Sequence, residues 1–412
     1  MALKREDFLG RLKHAGLNAN LRMGTFEEST SRLNYRQTVK LAVSSGGDRG
    51  LRNRASPKVA FGKATRPWLN IGLYRPGTHE VFDIGTCAAQ DPHINELVRS
   101  VRYALKDNLI PVHDQVVENR AGTSRIRVIQ MGLRYLLVRR AHSTGKLHLT
   151  FVCSAEILTK LRIVARQVRQ RHPELIGVTL HRNQSTGNAI LNLNDVASPA
   201  NEVLIGDAVL PDSVAGIAVE WDPLAFAQTN LDVAERMYRR IWELADVRPL
   251  ETWLDVYCGV GLIGLGAAKR ATRVIGIEEN AASIERAKRN ADLNAIANWS
   301  GVSGRAEDLL AGALGAGKMP DFIGSSPVGV VTLNPSRRGC QPEVLDALAA
   351  MRPRQIIYMS CDAGTFLRDL KRLEDCGYET RLIENFDMFP GTMHYESLAV
   401  MTAKPADLKT NV

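Results

Sequence analysis

Apolar and polar positions along this chain change their rhythm near residue 216. Before it, short alternating runs dominate. Residues 36–44 (RQTVKLAVS) read as a strand rich in β-branched side chains, and strand patterns recur at 69–74 and 79–84. Further strand-like runs cover 124–131, 134–141 and 146–153, and 175–204 reads as further strands. Helical spacing marks Arg5 to Ala15, 94–107 and 155–171, and the rest of residues 1–35 reads as irregular chain. In the run 124–131, Arg125 and Arg127 share one face while Ile126 and Val128 share the other, until Ile129 and Gln130 swap faces. Arginines on one face of a sheet suit contacts to a nucleic-acid backbone. For any single arginine a solvated face is the simpler reading.

After residue 216 strands and helices alternate. Helices are predicted at 230–246, 262–270, 280–294, 342–350 and 363–376. Strands are predicted at 252–257, 273–278, 330–333, 355–360, 379–386 and 396–402. Repeated βα units imply an α/β fold with a doubly wound, mostly parallel sheet and helices on both faces. The chain is thus expected to hold a β-rich α+β domain over 1–215 and an α/β domain over 216–412.

Charge sharpens that division. The formal net charge is +9 over 412 residues. Residues 1–215 hold 31 Lys and Arg against 18 Asp and Glu, a surplus of 13, while 216–412 hold 22 against 26. A basic half joined to a near-neutral half suggests a polyanion-binding part and a chemical part, although ordinary solvated surface explains the same numbers. A Gly/Arg-rich stretch, Ser45 to Arg54, is either a solvated loop or a phosphate-contacting one. No apolar run is long enough to span a membrane. Six cysteines without paired spacing argue for a reducing, cytoplasmic setting.

The candidate chemistry lies in the second half. Gln355 to Ser360 reads as a buried strand that stops at Cys361, where α/β sheets place their ligands. Cys361 is either a nucleophile or a buried small hydrophobe, the reading adopted for Cys153 and Cys376; Cys340 is ambiguous. Trp253 to Gly264 is a strand, a glycine-rich turn and a helix start, with Gly259, Gly261 and Gly264 in a G-x-G-x-x-G pattern and Glu278 ending the next strand. Such a site takes a dinucleotide or S-adenosylmethionine, or is a plain tight turn. Asp255 inside the strand, and the lack of a second mononucleotide half, favour the methyl donor. Asn334 ends a strand and precedes Pro335-Ser336-Arg337-Arg338-Gly339, either an amide placed for a base edge or a turn. Glu396 follows His394-Tyr395 as a candidate general base or a strand-edge carboxylate. Asn230 is a plain helix N-cap, which leaves Gln228 in the same turn unexplained.

In this order the stretches FAQTN (226–230), LDVYCGVG (254–261), IGIEEN (275–280), LNPSRRG (333–339), YMSCDAGTFLRDL (358–370) and FDMFPGTMHYE (386–396) resemble the RNA uracil-C5 methyltransferases. The resemblance implies a class I Rossmann-like methyltransferase domain that uses S-adenosylmethionine. It makes Cys361 the nucleophile at uracil C6 and Glu396 the general base. Gln228, Tyr257, Glu278 and Asn334 match ligand-contacting positions, with Asp255, Gly259 and Gly261 in the donor loop. Asn334 and the HYE ending look most like the type that methylates one uridine of 23S ribosomal RNA. Many members bind an iron–sulfur cluster through four cysteines. Cys87 matches the last of these and no cysteine precedes it, so no cluster is expected. The partner is then RNA, with no membrane, and the protein is expected to act as a monomer. The alternatives are a tRNA uracil-C5 methyltransferase, an RNA-binding protein with an inactive methyltransferase domain, an amino-methylating enzyme and a nicotinamide-linked oxidoreductase.

Overall fold

The computed structural model describes residues 1–18, 20–46, 68–120, 123–185, 190, 201–311 and 319–405. Residues 47–54 of the Gly/Arg-rich stretch and the side chains of Arg125 and Arg127 lie outside the described residues.

In chain order the described elements begin with α1 (Ala2–His14), β1 (Arg22–Glu27), β2 (Thr38–Gly46), β3 (Trp68–Tyr74), β4 (Val81–Asp83) and α2 (Pro92–Asp107). Then come β5 (Asp114–Arg120), β6 (Thr123–Gln130), β7 (Leu133–Arg140), β8 (Leu147–Cys153), α3 (Leu158–Arg171), β9 (Leu175–Arg182) and β10 (Glu202–Gly206). The short β11 (Leu210–Val214) and β12 (Ile217–Trp221) lead into α4 (Leu231–Leu244), β13 (Thr252–Val256), α5 (Leu262–Ala268), β14 (Arg273–Glu278), α6 (Ala281–Leu293) and β15 (Trp299–Ser303). The last are α7 (Ala306–Leu310), β16 (Val328–Leu333), α8 (Pro342–Met351), β17 (Gln355–Ser360), α9 (Ala363–Asp375), β18 (Tyr378–Phe386) and β19 (Glu396–Ala403).

Two compact units divide the chain, and neither is one continuous half. One joins Met1–Arg32 with Ser213–Glu220 and Asn230–Val412; the other joins Leu33–Asp212 with Trp221–Thr229. In the second unit a seven-stranded sheet runs β10-β9-β8-β7-β2-β3-β4. Its neighbours are antiparallel apart from the parallel pair β8–β9. Leu97, Val101, Leu161 and Val164 from α2 and α3 pack on Leu136, Leu149 and Phe151 of the sheet in one core. β5 and β6 form a separate two-stranded ribbon.

The first unit carries the expected doubly wound sheet, in the order β1-β18-β19-β17-β16-β13-β14-β15. β14, β15, β16 and β17 join β13 in a parallel set. β19 then runs antiparallel to both β17 and β18. β13, β16 and β17 are buried along their whole length, as strands covered on both faces must be. The helical spacing after Cys361 is borne out, since Phe366, Leu370 and Leu373 of α9 are all buried in the core with Tyr358 and Ile356.

Six elements have no counterpart in the sequence expectation: β1, β5, β11, β12, β15 and α7. The stretch read as irregular after Ala15 contains β1, which pairs parallel with β18, Arg22 opposite Leu382 and Phe26 opposite Asn385. β15 and α7 were not anticipated. β15 has one buried residue, Trp299, and otherwise polar or small side chains, so its pairing to β14 rather than its own pattern makes it a strand.

Candidate active site

β13 pairs with β14 on one side and with β16 on the other, so the sheet's winding reverses at its carboxyl end. Open α/β sheets bind ligands in the crevice at that reversal. The turn after β13 is held by two carboxylates. Asp255 is buried; Oδ2 accepts from the Gly264 N–H (2.9 Å) and Oδ1 from the Thr332 hydroxyl (2.7 Å). Burial pushes its carboxyl up to about 7, against the opposing effect of those two donors. In this structure Asp255 thus braces the turn from beneath. Glu278, at the end of β14, accepts from the Gly259 N–H (3.1 Å) and the Asn280 N–H (3.0 Å), and burial raises its carboxyl too.

The turn itself needs left-handed backbone. Gly259 has φ +55° and Gly261 φ +90°, where the latter caps the start of α5. A Cβ on Gly259 would meet nothing within 4 Å, so the loop is open to a ligand there. Tyr257 adopts φ +64° despite its bulk. Its phenol is half-buried against the Cys340 thiol, and burial makes it a weaker acid than usual. Cys340, ambiguous in sequence, is a buried thiol pushed up to about 12 by desolvation. It belongs to a packed cluster in which Asp369 accepts from the Tyr358 hydroxyl (2.6 Å) and the Cys340 N–H (2.8 Å).

Cys361 follows the last residue of β17 and is half-buried. Asp362 caps α9 by accepting from the Thr365 N–H (2.9 Å), so the cysteine sits at a strand-to-helix turn. β17 and β19 pair with Ser360 opposite Ser397. Continuing that antiparallel register by one residue sets Cys361 opposite Glu396, the first residue of β19. Directly opposed residues have Cβ atoms about 4.5–5.5 Å apart. Glu396 is 3% exposed, and desolvation lifts its carboxyl to about 8. The thiol of Cys361 is raised by burial and by the facing Glu396, and this is opposed by the nearby Arg337 guanidinium. Arg337 also lowers the Glu396 carboxyl, so one exposed cation serves both acids. In the sequence Arg337 is only one of two arginines in the turn after Asn334, and no local signal links it to the thiol.

Asn334 is half-buried at the end of β16, and its N–H reaches the Val256 carbonyl (3.4 Å). Asn230 caps α4 as read, accepting from the Val233 N–H. Gln228 is buried in the segment that belongs to the other compact unit. Cys153 is buried as expected. Cys376 is exposed, a correction: it ends α9 at the C-cap, where no core covers it. Cys87 lies before α2, with its backbone held by the Asn95 amide. Among the described residues no group of three or more His, Cys, Asp or Glu is arranged to hold a metal ion. No described helix is long and apolar enough to cross a membrane.

Comparison with known proteins narrows what this arrangement is. The family model described as tRNA (uracil-5-)-methyltransferase matches residues 216–404. An uncharacterized RNA methyltransferase of Geobacter sulfurreducens is 33% identical over 376 residues, 91% of this chain and 67% of its own length. One from Lactobacillus johnsonii is 30% identical over 366 residues, 88% of this chain and 74% of its own. In fold, the chain is similar to the Pyrococcus abyssi tRNA (uracil-54, C5)-methyltransferase solved with S-adenosyl-L-homocysteine. That match has a TM-score of 0.68 at 22% identity, over 97% of this chain and 83% of that one. This chain belongs to the RNA uracil-C5 methyltransferase family.

Proposed function

We propose that the protein transfers a methyl group from S-adenosylmethionine to C5 of a uridine in RNA, through a covalent adduct between Cys361 and uracil C6. The observation that carries this reading is the facing pair Cys361 and Glu396 with Arg337 beside both. The methyl donor fits the turn between β13 and α5: Gly259 is open to close approach, and Glu278 offers acceptor oxygens at the end of the neighbouring strand. When bound it supplies an electrophilic methyl group.

Uracil C5 is a poor nucleophile. The Cys361 thiolate adds to C6, and the electron pair of the C5–C6 double bond becomes available at C5 for the methyl group. The Glu396 carboxylate then takes the C5 proton. The C5–H electron pair restores the double bond, and the bond between sulfur and C6 breaks to return the thiolate. Arg337 offsets the charge on sulfur while it is free. The target uridine has to leave its stack to reach a half-buried thiol. Asn334 and Gln228 are assigned to hydrogen bonds with base or donor. Residues 1–215, with their surplus of positive charge, are assigned to RNA recognition, and the protein to action as a cytoplasmic monomer.

For substrate we favour 23S ribosomal RNA, on Asn334 and the His394-Tyr395-Glu396 ending. A tRNA substrate is the second reading, favoured by the description of the matching family model. Incubation with labelled methyl donor and either 23S rRNA fragments or tRNA separates them. Label is expected in uracil C5 of the ribosomal fragments. Label confined to tRNA overturns the substrate, and label in neither overturns the activity.

The pH profile follows from the same pair. Both acids have to lose a proton, Cys361 to add and Glu396 to accept. Both stand above their ordinary values, Glu396 at about 8. The rate constant kcat/KM is therefore expected to climb with pH through about 8 and to go on climbing above it, because the Cys361 thiol is raised from an ordinary value that is already higher. A profile flat between pH ~6 and ~8 counts against this pairing of roles.

A further inference from the structure

Lys4, in the first turn of α1, is a charged side chain only 5% exposed. Its ammonium pairs with Asp387 (2.5 Å) and donates to the carbonyls of Phe389 (2.9 Å) and His394 (2.7 Å). An ammonium has three hydrogens, and here each has an acceptor. A buried cation left short of partners is expensive, so this geometry is strongly enforced.

The three acceptors share one loop. It leaves β18 after Phe386 and re-enters the sheet at Glu396, and those two residues are themselves opposite one another in the β18–β19 ladder. Lys4 therefore ties the outgoing limb of the loop, at Asp387 and Phe389, to the returning limb at His394. Between the ties, the Thr392 hydroxyl donates to the Phe389 carbonyl (2.9 Å) and accepts from the His394 N–H (3.1 Å). The residue just before Glu396 is held as well. The Tyr395 ring meets Phe8 and Phe26 edge-on, at centroid distances of 5.9 and 5.6 Å, and its hydroxyl donates to Asp7 (3.1 Å). The segment Met1–Arg32 thus grips the two residues that precede Glu396. Glu396 follows Tyr395 directly, so the placement of its backbone follows the tied loop.

We propose that Lys4 is a positioning residue for the proton-removal step: by closing the loop 387–395 it holds Glu396 where its carboxylate reaches the C5 proton of the bound, methylated uracil. This rests on the reading of Cys361 and Glu396 given above. In that step the proton passes to Glu396, the C5–H pair re-forms the C5–C6 double bond, and the thiolate of Cys361 departs. A carboxylate displaced by an ångström still permits addition and methyl transfer, which it does not perform. It slows the release that follows.

The test separates those two stages. Lys4→Met removes the ammonium but leaves Asp387 buried and unpaired. The double variant Lys4→Met/Asp387→Asn removes both charges and protects the fold. Single-turnover experiments with labelled donor follow formation of the denaturant-stable protein–RNA adduct and release of methylated RNA. In both variants adduct formation is expected within about twofold of wild type, with release slowed about 10- to 100-fold, so that adduct accumulates. If the double variant releases RNA at the wild-type rate, or loses formation and release in equal measure, the positioning role is wrong. Glu396→Gln, run alongside, isolates the underlying reading. Failure of Glu396→Gln to accumulate adduct overturns the role of Glu396 itself. Accumulation with Glu396→Gln but with neither Lys4 variant overturns only the inference about Lys4.

Discussion

Cys361→Ala is expected to abolish methyl transfer, with a loss on the order of 10⁴- to 10⁶-fold in kcat. Without a nucleophile at C6, no electron density is pushed to C5, and binding both substrates well cannot replace that step. The loss is one of chemistry and not of folding. Cys361 is half-buried at a turn whose geometry is held by Asp362 and Thr365, neither of which needs the sulfur. Alanine there leaves the cap on α9 and the ladder between β17 and β19 intact. Labelled-donor incorporation checks the rate, and a denaturing gel checks that no covalent protein–RNA species forms. Incorporation near the wild-type rate in this variant would falsify the covalent route. The raised thiol of the free protein adds a second expectation. Alkylation of Cys361 by iodoacetamide should be slow at neutral pH and should quicken as pH rises, because the thiolate is the reactive form.

Glu396→Gln is expected to give the opposite signature: turnover falls about 10²- to 10⁴-fold while a covalent, methylated protein–RNA adduct builds up. Glutamine keeps the shape and burial of the side chain and removes only its capacity to take a proton. The adduct should form at least as readily as in wild type. The Glu396 charge is one of the influences that hold the Cys361 thiol up, so its removal lets the thiolate form at lower pH. Mass spectrometry of the trapped species would locate the methyl group on the uracil. Slow turnover with no adduct at any time would sink the assignment, because it would place the lost function before methyl transfer.

The parts of this molecule that were legible in the sequence are those fixed by local rules. Four apolar residues running into Cys361, with Phe366, Leu370 and Leu373 at helical spacing, specify a buried strand and the helix that covers it; β17 and α9 follow. Glycines at 259 and 261 announce positive φ because few other residues adopt it. Asn230 announces a cap for the same local reason. What escaped is set by partners far along the chain. β1 reads Arg22-Met23-Gly24-Thr25-Phe26-Glu27, with no apolar run, and becomes a strand because β18 offers it an edge. Lys4 lies on a helix that looks solvated, and its burial is decided by Asp387 and two carbonyls more than 380 positions away. Arg337 looked like one of two loop arginines, and only the fold brings it to Cys361. Asp255 was placed in the donor loop; that its oxygens are met by Gly264 and Thr332 is a pairing that needs β16 beside β13. The facing of Cys361 and Glu396 was the least legible of all, since it requires the register of two strands separated by another strand and a helix.

The tie between Lys4 and the loop after β18 also dictates an order of assembly. Its partners are separated by 383 residues, so during synthesis α1 emerges long before the loop after β18 that Lys4 ties. Leu33–Asp212 can reach a folded state in that interval, because most of its unit is already available. The other unit cannot: α1 and β1 must stay accessible through the synthesis of some 350 residues before β18 offers them an edge. Contacts of such long range close slowly. The loop that carries Glu396, held by Lys4 and Tyr395, is therefore among the last features to form.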